Sequence, residues 1–392
     1  MKLPEFAMFH LPTRIIFGNG IAKDFSVELG ELKAHKLFIV TDKTIMGLGL
    51  VDYMVKGLAA NGIEVQGIFD EVPQDSSVKV VSRIAELFNE FSADSFLTIG
   101  GGSVIDSAKG ANIIAKLGGD LIKDYSGSNI LTEPLFPLIV VPTTAGTGSE
   151  VTNAAVIYDE GTKTKLEFID RFITPNLAVL DPNMTKSMPP KITAFTGLDA
   201  LTHAVEAFID VDATPFSDMY AKEAISIITS HLINACINGD NLEERGWMAI
   251  GATLAGVAFS HSECGIVHGI AHSLGAVHRV PHGIANAIIL PYGMEYNLPS
   301  RIEKFAELAK VLNVYNKELS DEDNGKLAIE NIRNFEEGVS KVSDLPLKLR
   351  DVGVLKENFE LIAEKTLQDG TSIYNPREET IEGVIEILNK AY

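Results

Sequence analysis

The sequence predicts an N-terminal α/β domain with an open, mostly parallel sheet, followed by an all-α C-terminal domain. In the first half, short runs rich in β-branched residues alternate with amphipathic segments such as residues 78–91, which indicates βαβ units. After the proline-containing segment 181–190 only helical periodicity continues. This change sets the predicted boundary, with one domain at residues 1–188 and the other at residues 189–392.

Five segments of the first half have the length and apolar character of buried strands. They are residues 37–41, 63–69, 96–99, 138–141 and 177–180. In the second half, residues 215–232 and 243–260 have helical periodicity. Thr193 is placed to cap the helix that carries Asp199 and His203.

Composition restricts the class of protein. A chain of 392 residues is too long for one ordinary core, and its net charge of −20 argues against nucleic acid or an anionic membrane as a partner. The longest apolar run, residues 249–259, is too short to span a bilayer, and the N-terminus lacks the pattern of a signal peptide. With Cys236 and Cys264 as the only cysteines, we expect a protein of the reducing cytoplasm without a disulfide framework.

Two turns follow predicted strands and carry groups that suit a phosphate. Gly101, Gly102 and Ser103 lie between the strand at 96–99 and a helix, where backbone N–H groups can approach an anion. This is not the G-x-G-x-x-G fingerprint, and a turn needed only for tight packing is the alternative. The segment PTTAGTGSE, residues 142–150, follows the next strand.

The hydroxyls of this second turn belong to Thr143, Thr144 and Thr147, and they suit ribose and pyrophosphate oxygens. A loop that satisfies its own backbone is the alternative. Two such turns on one sheet favour a dinucleotide site at the carboxyl ends of the strands. Asp42, after the strand at 37–41, can accept hydrogen bonds from ribose hydroxyls and would repel a 2′-phosphate, which favours NAD over NADP. Asp42 is also suited to be an N-cap or a turn residue.

Histidines cluster in the second half: five of the nine lie between His261 and His282. His268 and His272 are four residues apart, as are Asp199 and His203, so each pair shares one helix face. A metal site is predicted from one carboxylate and three imidazoles, namely Asp199, His203, His268 and His282. Such a set suits Fe(II), Zn(II), Co(II) or Ni(II), and affinity order does not select among them.

Each of these residues also has a structural alternative, because a single buried histidine is usually a satisfied core residue. Cys264 could ligate but fits better as a small buried hydrophobe. His272 can face the same cavity and orient an alcohol or relay its proton. His261 and His278 have no helical partner in this scheme and are assigned to loops or to the surroundings of the site.

Long segments of the chain resemble one known family. GGGSVID, PTTAGTGSE, GLDALTHAVEAF, GIVHGIAHSLG and PHGIANAIILP are similar to signature segments of the iron-containing (group III) alcohol dehydrogenases. The resemblance runs from PTRIIFG at residues 12–18 to NPREET at residues 375–380. It implies a dehydroquinate synthase-like architecture, with an N-terminal dinucleotide-binding domain, a helical C-terminal domain and a metal site in the cleft between them.

The resemblance also implies roles for individual residues. The metal ligands would be Asp199, His203, His268 and His282. The cofactor-binding residues would be Asp42, Gly101, Gly102, Ser103, Thr143, Thr144, Thr147 and Lys165, the last on the nicotinamide side. The substrate cavity would be lined by Asn153, Phe259, His272 and Thr371, with His272 as the catalytic residue.

The resulting hypothesis is reversible, metal-dependent and NAD-linked oxidation of a small primary alcohol or diol to its aldehyde. The resemblance implies NAD and one divalent metal, Fe(II) ahead of Zn(II), and we expect a homo-oligomer, a dimer or larger. The alternatives are a polyol (glycerol-type) dehydrogenase, a dehydroquinate-synthase-like lyase and a non-catalytic nucleotide- and metal-binding protein. An anionic substrate is disfavoured because Arg279 is the one obvious basic residue near the histidines.

Overall fold

The computed structural model describes residues 5–161 and 164–392. They divide into an N-terminal unit, Leu11–Ser187, and a C-terminal unit, which combines Met188–Tyr392 with residues 5–10. The sequence-based division places residues 5–10 in the first domain instead. They group with the second unit because the ring of Phe9 stacks on those of Phe216, Tyr220 and His261.

The N-terminal unit contains the strands. They are β1 (Arg14–Phe17), β2 (Lys36–Val40), β3 (Glu64–Phe69), β4 (Ser95–Gly100), β5 (Gly127–Ser128), β6 (Leu138–Pro142), β7 (Ala154–Asp159), β8 (Thr164–Ile169) and β9 (Leu177–Leu180). Six of them form a parallel sheet in the order β1-β9-β6-β4-β2-β3. The predicted parallel sheet is therefore present, and each of the five predicted strands matches one of its members to within a residue or two.

Both faces of this sheet are buried, which explains the continuous apolar runs in the sequence. Successive side chains of a strand point to opposite faces. Along β2, Phe38 and Val40 join one apolar cluster, whereas Leu37 and Ile39 join a second cluster. The sheet is thus the middle layer of the unit, and its carboxyl edge is free to carry polar turns.

A second, three-stranded sheet is absent from the sequence-based prediction. It has the order β5-β8-β7, with β7 and β8 antiparallel. β8 (TKLEFI) is polar and partly exposed, so it lacks the apolar run by which the buried strands were recognised. β1 (RIIF) was missed for a different reason: it is a short edge strand, with an apolar run of three residues and mostly exposed side chains.

Helices cover the sheet and build the whole C-terminal unit, where the described residues contain no strand. Those of the N-terminal unit are α1 (Ser26–Leu32), α2 (Lys43–Gly47), α3 (Leu50–Ala60), α4 (Val78–Glu90), α5 (Gly102–Leu117), α6 (Leu121–Tyr125) and α7 (Pro182–Thr185). Those of the C-terminal unit are α8 (Pro190–Ile209), α9 (Pro215–Ile237), α10 (Leu242–Phe259), α11 (Ile266–His278), α12 (His282–Asn297), α13 (Ile302–Val311), α14 (Asp321–Ser343), α15 (Phe359–Thr366) and α16 (Ile381–Ala391). Within the described ranges, no helix combines the length and apolar character needed to cross a bilayer.

The prediction that Thr193 caps α8 is wrong. The helix begins at Pro190, whose fixed φ and missing N–H suit the first helical position. Thr193 lies inside the first turn, where its Oγ1 donates to the carbonyl of Pro189 at 3.1 Å and accepts from Nη1 of the buried Arg245 at 2.7 Å. Arg245 therefore anchors the start of α8 through a side chain distant in sequence.

Close packing around α8 depends on Gly197. A Cβ atom at this position would lie 2.4 Å from Cδ1 of Leu232 in α9 and 3.0 Å from Cε of Met248 in α10. Almost every side chain of α8 is buried, so neither neighbour can move into solvent without opening the core. The absence of a side chain at Gly197 thus sets how closely α8 approaches its neighbours.

We predict that Gly197→Ala lowers the free energy of unfolding by about 1–3 kcal/mol, because an added methyl group overpacks this contact. Gly30→Ala in α1 is the control: no atom lies within 4 Å of its Cβ position, so it should be neutral or stabilising by about 0.5–1 kcal/mol. Thermal unfolding followed by circular dichroism measures both. Equal melting temperatures for the two variants would contradict the packing argument.

Candidate metal centre and ligand-binding turns

Three helices of the C-terminal unit bring the four predicted metal ligands together. Asp199 and His203 lie one turn apart on α8, His268 lies in the first turn of α11, and His282 is the first residue of α12. One candidate ligand atom from each of these side chains lies within 4.8 Å of the others. The helical spacing seen in the sequence therefore produces a convergent set.

Asp199, His203 and His268 are buried, His282 is partly exposed, and the four groups are in close mutual contact. The imidazole rings of His203 and His268 are 4.4 Å apart between centroids, and Nε2 of His282 lies 3.5 Å from Oδ1 of Asp199. Burial lowers the pKa of His268 well below its ordinary value, and the neighbouring imidazoles of His203 and His272 lower it further. His268 is therefore neutral at physiological pH and offers a lone pair.

The chemistry of this donor set fits a divalent metal ion. Burial raises the pKa of Asp199, since a carboxylate in this position is costly without a compensating charge. A cation held between one carboxylate and neutral imidazoles would supply that charge. Nitrogen and oxygen donors of this kind suit Fe(II) and Zn(II) alike.

Glu206, which the sequence analysis missed, supports His268 from behind. Its Oε1 accepts the backbone N–H of Val267 at 2.7 Å, and its Oε2 lies 2.5 Å from Nδ1 of His268. Burial raises the pKa of Glu206 to about 7, and the backbone N–H groups that it accepts oppose this shift. As a carboxylate, Glu206 accepts from Nδ1 of His268, which leaves the lone pair of the ring on Nε2. Glu206 follows His203 by three residues on α8, so helical spacing could have identified it.

Asn286 is the other unpredicted neighbour of the donor set. It is fully buried on α12, one turn after His282, and its amide reaches Asp199, His268 and His282. The i, i+4 spacing from His282 was again a usable signal.

His272 lies beside the donor set but has a different partner. Its Nδ1 is 2.9 Å from Oδ2 of Asp369, whose Oδ1 accepts from the N–H and the hydroxyl of Thr371. Burial alone would raise the pKa of Asp369. The charge and hydrogen bond of His272, together with the two hydrogen bonds from Thr371, outweigh burial and lower this pKa. The ring of His272 stacks on that of His282 with centroids 5.2 Å apart. Asp369 lies far from His272 in sequence, and no local pattern identifies it.

Two other predicted cavity residues also belong to this region of the C-terminal unit. The ring of Phe259, at the end of α10, stacks on that of His203 with centroids 4.4 Å apart. Thr371 lies against α11, where a Cβ atom on Gly269 would be 2.8 Å from its Oγ1. Phe259 and His272 thus contact histidine rings of the donor set, and Thr371 lies against Gly269, the residue after His268.

The two histidines without an assigned role have structural contacts. His261 lies 2.7 Å through Nδ1 from the carbonyl of Val257 and contacts the backbone of His10 through Nε2. His278 contacts Asn358. Cys264 is buried, and burial raises the pKa of its thiol well above the ordinary value, so the thiol is protonated. Its sulfur nevertheless lies within 4.8 Å of candidate ligand atoms of Glu206 and His268.

In the N-terminal unit, the three predicted strand-end segments lie on adjacent strands. β6, β4 and β2 are neighbours in the parallel sheet, so the residues after them share one edge. The N–H of Thr143 donates to the carbonyl of Gly100 at 3.0 Å, which joins the threonine turn to the glycine turn. These turns can therefore act on one ligand.

The glycines of the first turn are required by the threonines of the second. A Cβ atom on Gly101 would lie 3.2 Å from Oγ1 of Thr144, and one on Gly102 would lie 2.8 Å from Cγ2 of Thr147. Tight packing, the alternative considered from the sequence, is thus a real function of this turn. It does not exclude phosphate binding, because close packing is also what brings the two turns side by side. Ser103, the next residue, donates its hydroxyl hydrogen bond to the carbonyl of Gln74.

Lys109, which the sequence analysis also missed, holds the threonine turn in place through its side chain. Its Nζ is fully buried in α5 and contacts Oγ of Ser149 at 3.1 Å, Oγ1 and the carbonyl of Thr152 at 2.9 and 2.8 Å, and the carbonyl of Ala154 at 2.8 Å. Burial lowers the pKa of Lys109 to about 8, opposed by the charge of Asp106. This ammonium group joins the turn to the start of β7.

The remaining predicted site residues of the N-terminal unit are Asp42, Lys165 and Asn153. Asp42 is the N-cap of α2, where its Oδ1 accepts from the N–H of Ile45 at 2.9 Å. Lys165, in β8, pairs with Oδ1 of Asp75 at 3.0 Å. Asn153, a predicted cavity residue, precedes β7 and accepts the N–H of Asp170 through its carbonyl.

Comparison with known proteins identifies one family over nearly the whole chain. Residues 12–182 match the family model described as iron-containing alcohol dehydrogenase. Residues 193–392 match the one described as Fe-containing alcohol dehydrogenase family, C-terminal.

Individual relatives agree with this result. The chain is 35% identical to NAD-dependent methanol dehydrogenase of Bacillus methanolicus, over 98% of this chain and 99% of that protein. It is 39% identical to 1,3-propanediol dehydrogenase of Citrobacter freundii, over 92% of each. Among solved structures, a 1,3-propanediol oxidoreductase superposes with a TM-score of 0.94 and 37% identity, covering 99% of this chain and 100% of that one.

Proposed function

Because the chain belongs to the iron-containing alcohol dehydrogenase family, we propose that it interconverts a small primary alcohol or diol and the corresponding aldehyde with NAD. The observation that carries this proposal is the convergence of Asp199, His203, His268 and His282 on one buried point. Relatives named for methanol and 1,3-propanediol support short, uncharged substrates.

These four residues would hold a divalent metal, for which we favour Fe(II) over Zn(II) on the family's description. When bound, the metal supplies the Lewis acidity that lowers the pKa of an alcohol, and the nicotinamide supplies the hydride acceptor. The protein's own contribution at the metal is to orient the side chains that would hold it. Glu206 fixes the ring of His268 so that Nε2 faces the other donors.

His272 is the proposed proton carrier. Nδ1 of His272 lies 2.9 Å from Oδ2 of Asp369, and this contact would orient the ring while it carries the substrate proton. Phe259 lies against His203 and Thr371 against Gly269 of α11, and both would contact the alkyl part of the alcohol. Uncharged residues of this kind suit a small alcohol better than an anionic substrate.

The strand-end turns of the N-terminal unit would bind the dinucleotide. Gly101, Gly102 and Ser103 would approach the pyrophosphate at the start of α5, and the hydroxyls of Thr143, Thr144 and Thr147 would contact its phosphates and the nicotinamide ribose. Lys165 would lie on the nicotinamide side, and Asn153 would line the substrate cavity.

Acidic side chains around Asp42 support a preference for NAD over NADP. Nζ of Lys43, the neighbouring cation, lies 2.8 Å from Oδ1 of Asp70 and 3.5 Å from Oε1 of Glu71. Its charge is therefore already compensated, and a 2′-phosphate would meet Asp42, Asp70 and Glu71 together. The hydroxyls of an unmodified ribose would instead find an acceptor in Asp42.

We also propose that the protein forms a homo-oligomer. β1 is the outer strand of the main sheet, and its Ile15 and Phe17 side chains are exposed. An exposed edge strand with apolar side chains is a common site of pairing between chains.

We predict that His268→Ala loses bound metal and about 10³-fold or more of kcat/KM, because Lewis-acid catalysis contributes several kcal/mol. NAD affinity should be unchanged. His278→Ala, on the same helix but outside the donor set, is the matched control. Metal analysis, NADH formation and NAD titration measure the three properties, and full activity of His268→Ala would exclude the proposed centre.

Asp42→Gly should raise the ratio of kcat/KM for NADP to that for NAD by about 10-fold or more, since it removes both a ribose acceptor and a repelling charge. Asp120→Gly, which removes the corresponding cap of α6, controls for the loss of capping. Steady-state kinetics with both cofactors give the ratio. An unchanged ratio in Asp42→Gly would refute the specificity argument.

Asp369→Asn should lower kcat by about 10- to 100-fold while leaving the metal content unchanged, because His272 loses the charged partner that fixes its tautomer. The exposed Asp351→Asn serves as the control. A kcat within twofold of the parent would remove His272 and Asp369 from the proton path.

A further inference from the structure

The amide of Asn286 lies among the proposed metal ligands. Its Nδ2 is 2.7 Å from Oδ1 of Asp199, 3.1 Å from Nε2 of His268 and 3.2 Å from Nε2 of His282. One side-chain nitrogen thus contacts three of the four donor atoms. Asn286 is completely buried, so in the folded protein its amide has only protein groups as partners.

The acceptors around Asn286 determine which end of its amide faces the donors. Nδ1 of His268 donates to Glu206, which leaves a lone pair on Nε2. An amide oxygen in the position of Nδ2 would face this lone pair and the carboxylate of Asp199, and acceptors repel one another. The N–H groups must therefore point toward the donor set.

The opposite end of the amide has an unfavourable environment. Oδ1 of Asn286 is buried without a hydrogen-bond partner among the described residues. A buried acceptor of this kind destabilises the fold unless the rest of the group makes a contact that requires it. The contact with the metal ligands is the one that Asn286 makes.

We propose that Asn286 is a positioning residue that holds Asp199 for the metal, an inference that rests on the proposed metal centre. Its short hydrogen bond to Oδ1 fixes the carboxylate of Asp199 in one orientation, in which it would bind the cation. The longer contacts to His268 and His282 keep the imidazoles close to the carboxylate when no cation is present.

The two sets of contacts respond differently to a bound cation. With a cation bound, the lone pairs of the imidazoles would be engaged, and the amide would lose its contacts to their Nε2 atoms. The hydrogen bond to Asp199 would persist, because a carboxylate has lone pairs for a hydrogen bond as well as for a cation. The lost contacts oppose metal binding, but the retained bond is shorter and has a charged acceptor, so it outweighs them and the net effect of Asn286 would be to strengthen metal binding.

The test is titration of the metal-free, full-length protein with Co²⁺, followed by visible absorption. We expect Asn286→Leu to weaken Co²⁺ binding by about 10- to 100-fold, the loss usual for a residue that orients a metal ligand. Its absorption bands should also shift, because Asp199 is no longer held in one orientation. Asn286→Ala should bind between the parent and the Leu variant, since its polar cavity can admit a water that donates to Asp199.

Asn297→Leu provides the matched control. Asn297 is another buried asparagine of α12, but its amide bonds to Asn375 rather than to the donor set. We expect this variant to melt at a lower temperature with an unchanged Co²⁺ dissociation constant and spectrum. Circular dichroism establishes that each variant is folded, and Asn286→Ala carries the test if the Leu variant is not.

A dissociation constant of Asn286→Leu within twofold of the parent would overturn the inference. So would equal weakening in Asn297→Leu, or weaker binding by Asn286→Ala than by Asn286→Leu, since either result would indicate packing rather than hydrogen bonding. His268→Ala separates this inference from its premise. If His268→Ala binds Co²⁺ as tightly as the parent, the proposed metal centre is wrong. If His268→Ala loses Co²⁺ binding while the Asn286 variants bind it as the parent does, the metal centre is supported and Asn286 has no part in it.

Discussion

A carboxylate and three imidazoles can share a small buried volume only if the groups around them fix their lone pairs in one direction. Much of the C-terminal unit can be understood from this constraint. Glu206 takes the hydrogen of His268 on the far side of its ring, and Asn286 holds one oxygen of Asp199. α8, α11 and α12 must approach closely enough for four donor atoms to meet, and glycine at position 197 permits α8 to pack tightly against its other neighbours. The arrangement of the four donor atoms therefore depends on how closely these helices pack.

In the N-terminal unit, the polar groups of the candidate phosphate site are positioned mainly by the backbone rather than by buried side chains. A phosphate-binding edge needs exposed N–H groups and hydroxyls, which must be held rigidly without an apolar core around them. Gly101 and Gly102 lack side chains, so Thr144 and Thr147 can lie against them. Lys109 then anchors the end of the threonine turn with one buried ammonium group. The glycine and threonine turns are thus parts of one structure, although the sequence presents them as separate motifs.

Local spacing explains what could be predicted from the sequence. Apolar runs identified the buried parallel strands, and the i, i+4 pairs identified Asp199, His203 and His268 as residues that could converge. Glu206 and Asn286 follow the same helical spacing and were missed because carboxylates and amides on helices are usually solvated. Asp369 could not be found, since its position against His272 depends on tertiary structure alone. The sheet containing β8 was missed because its side chains lack an apolar pattern.

His268 and His272 show how partner groups divide two similar residues between roles. They are one turn apart on α11, so spacing alone gives both the same access to the donor set. Each offers Nδ1 to an acid, but Glu206 is fully buried and belongs to α8, the helix that also carries Asp199 and His203. Asp369 is partly exposed and belongs to the segment before Thr371. The acid on α8 therefore draws His268 toward the other donors, whereas Asp369 holds His272 at their side. Under the proposed function, the identity of the acid behind each ring, rather than the spacing of the histidines, would therefore determine which of them ligates the metal and which carries a proton.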